Sequence, residues 1–146
     1  MTMSLAEMSD RMEIQDLVVA YSYAIDSGRY DDLDDLFTED AVLDFSATGA
    51  VKGTLAEMKA FLREALPMFA GSQHLAATTM VRLDGDRATA KTICHNPMLF
   101  ADTPEGASRP PLMLLGLWYV DDLVRTADGW RFSQRVQELL YQRTFR

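Results

Sequence analysis

The spacing of apolar residues changes period once along this chain, and that change fixes the class of fold open to it. In the first part the apolar positions recur at helical intervals. Ile14, Leu17, Val18, Tyr21 and Ile25 form one stripe, and Leu55, Met58, Phe61, Leu62 and Ala65 another. From Gln73 onward apolar and polar residues alternate, the mark of strands with one buried face. Helices followed by a run of strands predict an α+β fold, with the helices packed on one face of an antiparallel sheet.

Local signals place the elements. The first helix is predicted from Ser9 or Asp10 to Ser27, with Ser9 as N-cap and Gly28 in the left-handed position that ends helices. A shorter helix is expected from Asp31 to Phe37, burying Leu33, Leu36 and Phe37. Ala41 to Phe45 reads as a strand that turns through Ala47-Thr48-Gly49 into Val51-Lys52-Gly53. Thr54 and Glu57 have the spacing of a capping box, opening a helix that Pro67 stops. Asp84-Gly85-Asp86 and Asp128-Gly129 are hairpin turns. The strands they divide are Gln73 to Leu83, Arg87 to Phe100, Leu112 to Arg125 and Trp130 to Tyr141, and residues 102–111 form the one sizeable loop. Strands this long would curl around the N-terminal helices as a cone-shaped α+β barrel with a curved antiparallel sheet. With no repeat or linker in view, residues 1–146 read as a single domain.

Composition narrows the function. Hydrophobic residues make up 48% and charged residues 25%, as in ordinary globular proteins, and no apolar run is long enough to span a bilayer. The lone Cys94 reads as a buried strand residue. The opening ten residues show no basic segment ahead of an apolar stretch, so a cytoplasmic protein is expected. A formal charge of -8, with acidic pairs at Asp31-Asp32, Asp34-Asp35 and Glu39-Asp40, argues against nucleic-acid and anionic-membrane partners. The aspartates read as a solvated face. Phosphate-binding loops, nucleophile elbows and trustworthy metal-ligand spacings are all missing, so neither metal nor cofactor is expected.

The chain has two histidines. Alternation puts His74 with Ala76, Thr78 and Met80 on the face suited to a pocket. Asp26 closes the first helix, and a carboxylate beside an imidazole fixes its tautomer and stabilises the protonated ring, making a better general base. Tyr21 and Tyr23 can donate to a substrate oxygen. His95 shares a strand face with Ile93 and Pro97, and Asn96 is the donor if the opposite face looks inward.

Two stretches carry a family resemblance. Ile14-Gln15-Asp16-Leu17, Ile25-Asp26 and Asp34 to Ala41 form the first. Gly116 to Arg125, followed by Asp128-Gly129-Trp130-Arg131-Phe132-Ser133-Gln134-Arg135, forms the second. Together they resemble the SnoaL-like branch of the nuclear transport factor 2-like superfamily, and within it the chain is similar to lindane dehydrochlorinase and scytalone dehydratase. The resemblance implies the cone fold, an Asp26–His74 catalytic dyad, and Arg135 as the last-strand arginine of the dehydrochlorinase. Where that enzyme has a first-helix lysine this chain has Tyr21, which suits hydroxyl or carbonyl substrates better than loss of chloride. The activity implied is that of a cofactor-independent lyase, dehydratase-like, or an isomerase, acting on a small apolar cyclic molecule. His74 would be the base, Asp26 its partner, Arg135 the group that stabilises developing negative charge and Tyr21 the oxygen donor. Tyr23, His95, Thr78, Met80 and Trp118 form the expected substrate-binding set. A non-catalytic binding or assembly module of the same fold stays open, as does a scaffold subunit of a larger oxygenase. A homodimer or homotrimer is expected, joined through Leu112 to Tyr119.

Overall fold

In the computed structural model, which describes residues 2–146, the first helix begins more than a turn ahead of the position its apolar stripe indicates. Ser4 accepts the Glu7 amide at 3.2 Å while the Glu7 carboxylate accepts the Ser4 amide at 2.8 Å. This reciprocal cap opens α1, Leu5–Asp26. The stripe starts at Ile14 because the first turns run out over solvent, with Leu5 and Met12 exposed. Gly28 ends the helix at φ +69, as the sequence predicts.

The predicted second helix is instead a 3-10 segment, Tyr30–Asp35. Aspartates bond readily to nearby backbone and are poor helix formers, and four of its six residues are aspartate. These carboxylates are not merely solvated. Asp31 and Asp34 lie 2.8 and 2.9 Å from the Lys59 ammonium, and Arg63 reaches Asp31 at 2.6 Å. Both cations belong to α2, Leu55–Ala65, which opens on the predicted Thr54–Glu57 capping box and buries Met58 and Leu62.

Seven strands follow the order β2-β1-β7-β6-β5-β3, with β4 also on β5. They are β1 Phe37–Asp44, β2 Lys52–Thr54, β3 Phe69–Ser72, β4 Leu75–Asp84, β5 Arg87–Phe100, β6 Leu112–Thr126 and β7 Gly129–Phe145. The chain is an α+β cone, its curved sheet left unclosed around the helices. One expectation is corrected: the sheet is mixed, because β1 runs parallel to β7, pairing Leu43 with Arg135. The predicted strand from Gln73 starts instead at Leu75, as β4, and a short strand that was not expected, β3, precedes it. β3 and β4 pair end to end along β5, and the chain steps between them at Gln73 and His74.

The helical layer is fastened to the sheet by charge as well as by apolar packing. The Arg125 guanidinium donates to both Asp10 oxygens at 2.7 and 2.9 Å, and the buried Trp130 indole N–H donates to Asp10 at 3.0 Å. Glu13 accepts the Trp130 amide at 2.9 Å.

Candidate active site

His74 is placed by a carboxylate rather than by a strand ladder. It sits in the step between β3 and β4, where its backbone N–H has no strand partner and donates to Asp26 Oδ2 at 2.7 Å. Its ring Nδ1 lies 2.6 Å from Asp26 Oδ1, and Ser72 Oγ donates to the same oxygen at 2.8 Å. A carboxylate at a helix C-terminus faces the unfavourable end of the dipole, and these converging donors offset it. Burial pushes the Asp26 carboxyl up, but the His74 hydrogen bond and charge outweigh it and hold the group below its ordinary value. An ionised Asp26 only accepts, so the Nδ1 proton points to it and the neutral ring carries its lone pair at Nε2.

His74 forms part of the wall of a cavity of about 230 Å³ between the helices and the concave sheet face, with Asp26 behind it. Tyr21 and Ile25 of α1, Phe61 and Leu62 of α2, and Leu115 and Leu117 of β6 supply much of its surface. Asn96, on the inner face of β5, brings Nδ2 to 3.4 Å from His74 Nε2. At the opposite side Thr48 donates to Gln137 Oε1, which ties the turn after β1 to β7.

Arg135 lies beneath this cavity without lining it. Its side chain is fully buried and donates twice to Asp121, its cross-strand neighbour, at 2.8 and 3.0 Å. The guanidinium stacks on Tyr119 at 3.9 Å, Tyr21 at 4.2 Å and Phe132 at 4.5 Å, and its Nη1 has no partner among the described residues. Burial pushes the Asp121 carboxyl above its usual value against the pull of Arg135, while Asp121 keeps the guanidinium charged. Burial also raises the Tyr21 phenol well above its ordinary range, so Tyr21 remains a hydroxyl donor. Cys94, buried beside them, has its thiol pushed up to about 12 by desolvation and is inert.

The structure brings together His74, Asp26 and Tyr21, with Arg135 one layer below, and separates the rest of the expected set. Tyr23 is 70% exposed because it lies two residues past the buried Tyr21, on the opposite side of the helix. Thr78 bulges out of the β4–β5 ladder at φ +53, which carries the inward face from Ala76 to Thr79. Thr78 and Met80 therefore face solvent. His95 lies on the outer sheet face, 3.3 Å from the Tyr141 hydroxyl, across the bare backbone of Gly116. Tyr23 and His95 meet instead on an outer groove of about 570 Å³ on the far side of the dyad. Trp118 is likewise outside, under the Lys91 ammonium at 5.2 Å. Asn96, Tyr119 and Asp121 belong to the inner set. For the latter two the signal was the alternation Leu117-x-Tyr119-x-Asp121, opposite in parity to Trp118.

Among the described residues no three His, Cys, Asp or Glu side chains gather as a metal site, and no helix is long and apolar enough to cross a membrane.

Comparison with known proteins agrees with this architecture. The sequence model of the SnoaL-like domain family matches residues 6–136. An uncharacterized protein of Mycobacterium tuberculosis is 45% identical over 141 residues, which is 97% of this chain and 92% of that protein. The crystal structure of the Kfla4162 protein from Kribbella flavida superposes with a TM-score of 0.84 at 28% identity, covering 94% of this chain and 95% of that one. The hexachlorocyclohexane dehydrochlorinase LinA-type3 from Novosphingobium barchaimii gives a TM-score of 0.80 at 17% identity over 97% and 93% of the two chains, a likeness of fold alone.

Proposed function

This chain belongs to the SnoaL-like domain family, and from that premise we propose that it is a cofactor-independent lyase or isomerase acting on a small apolar cyclic molecule. The observation that carries the reading is the 2.6 Å contact between His74 Nδ1 and Asp26 at the wall of an apolar cavity. Asp26 fixes the tautomer that leaves Nε2 free to take a proton, and its charge stabilises the imidazolium that results. A proton on a carbon next to an activating group is the natural target. Tyr21 supplies a hydroxyl to the oxygen that departs or enolises. Arg135, sealed beneath Tyr21, supports that hydroxyl through its positive field without touching substrate. Loss of water and migration of a double bond both use this equipment. The dehydrochlorinase neighbour is an eliminating enzyme, which agrees in reaction class.

One observation favours a second reading, a binding module without chemistry: Asn96 already occupies Nε2 in this structure. One experiment decides between them. Wild type and His74→Ala are screened by thermal shift against cyclic ketones, hydroxylated polyketides, terpenoids and steroids, with mass spectrometry on each hit. A ligand that stabilises wild type and emerges lighter by one water, only with His74 present, establishes a dehydratase. Unchanged mass with altered retention establishes an isomerase. Ligands that bind both proteins and return unchanged establish the binding module.

A further inference from the structure

Asn96 is the polar side chain beside His74 to which the base reading gives no task. It is 5% exposed and sits beside His74 with Nδ2 3.4 Å from Nε2. Since the neutral ring presents a lone pair there, the amide N–H is the donor. Asn96 Oδ1, by contrast, is buried and has no partner among the described residues. The tip of this amide is therefore held by one long contact, and nothing anchors its oxygen.

We propose that Asn96 is a further catalytic residue, whose amide N–H passes from His74 Nε2 to the oxygen of an enolate as the enolate forms, and that the substrate class is a small cyclic carbonyl compound with an acidic adjacent C–H. This inference rests on proton abstraction by His74. When the C–H bond breaks, its proton bonds to Nε2 and its electron pair moves into the carbon–carbon–oxygen π system, leaving negative charge on oxygen. Nε2 then bears hydrogen and no longer accepts. The Asn96 N–H loses its acceptor at the moment an anion appears beside it. A donor engaged elsewhere in the ground state and released as charge develops stabilises the transition state more than the substrate, which is what raises turnover. Tyr21, kept protonated by burial, is the companion donor on the same wall. Across the cavity Thr48 donates to Gln137 and Gln137 to Tyr119, and Phe61, Leu62, Leu115 and Leu117 are apolar, so beside His74 the enolate oxygen depends on these two donors.

The test uses the full chain as wild type, Asn96→Leu, Asn96→Asp and His74→Gln with two probes. Indanone in deuterium oxide reports, by NMR, exchange of the protons next to its carbonyl. Naphthol, a stable mimic of an enol, reports oxygen binding by fluorescence. Both Asn96 variants are expected to lower kcat for exchange on the order of 10²-fold while leaving KM within about threefold. Naphthol affinity is expected to fall about tenfold in Asn96→Leu, the effect of losing one hydrogen bond to a buried oxygen. Asn96→Asp keeps the shape and loses the donor, which separates donation from packing. Exchange at wild-type kcat in either Asn96 variant, or equal naphthol affinity in Asn96→Leu, overturns the role of Asn96 and leaves that of His74 standing. Naphthol binding that depends on Asn96, with no exchange by wild type, overturns proton abstraction and with it the catalytic role, leaving Asn96 an oxygen-binding residue. A wild-type protein that takes up no naphthol at millimolar concentration overturns the oxygen site itself.

Discussion

Asp26 holds His74 by backbone and ring at once: its Oδ2 accepts the His74 amide at 2.7 Å while Oδ1 lies 2.6 Å from Nδ1. The two bonds give the carboxylate separate duties, one positioning the residue and the other setting the tautomer of its ring.

Asp26→Asn separates these duties. The new amide turns an N–H₂ toward one of the donors that the carboxylate satisfied, at a cost of about 1–3 kcal/mol in stability. Turnover per folded molecule is expected to fall on the order of 10³-fold, because the ring tautomer is no longer enforced. Urea denaturation and kcat measured on the same preparations check both. Lost stability with unchanged turnover would make the pair purely structural.

Arg135 and Asp121 have no access to solvent, so removing one partner strands the other. Arg135→Leu is expected to destabilise by about 3–5 kcal/mol, and adding Asp121→Leu should restore most of that loss. Urea midpoints of the two single variants and the double variant complete the cycle. A single variant that costs nothing measurable would show that water reaches the pair.

Asp10 predicts an acid limb to stability. The hydrogen bond from Arg125, then that from Trp130, lowers its carboxyl to about 2. A depressed folded value means the contribution is complete above the ordinary value of 3.8 and disappears as pH falls toward about 2. The pair lies near the surface, so solvent screening limits its worth to about 1 kcal/mol. Asp10→Asn should therefore lower the melting temperature at neutral pH and converge with wild type near the acid end of that window. Parallel curves across the whole range would refute the assignment.

The outer sheet face predicts self-association. Leu75, Met80, Ile93 and Leu140 are exposed, and the outward residues of Leu112 to Tyr119 continue the apolar surface. A face this apolar is expected to be covered in a homodimer or homotrimer. Light scattering coupled to size exclusion reads the mass directly, and a monomer at tens of micromolar would exclude it.

What the sequence reveals, and what it hides, follows from how local each determinant is. The Thr54 cap, the two Asp-Gly turns and the end of α1 at Gly28 are written within a few residues, and each forms where expected. Asp26 and His74 were nameable because their types and separation match a known pairing. The parallel pairing of β1 with β7 leaves no local trace, since its partners lie far apart in the chain. Thr78 interrupts an alternation that looks unbroken on paper. Only the pairing of Ala77 with Ile93 and of Thr79 with Thr92 shows the extra residue. Trp118 misled because β6 is apolar on both faces, so parity was undecided until Lys91 was placed over its ring.

The step between β3 and β4 separates the evolution of the site from that of the scaffold. Both strands pair with β5, and between them Gln73 keeps one bond to it, its amide donating to Pro97 O at 3.1 Å, so His74 forms a seam that neither ladder depends on. A residue inserted at the seam would move the imidazole and leave the pairs on either side in register. The same insertion in β5 would turn Asn96 outward and every residue after it to the opposite face. A lineage can thus retune the base against a fixed cavity wall, and new chemistry in this cone has an inexpensive place to begin.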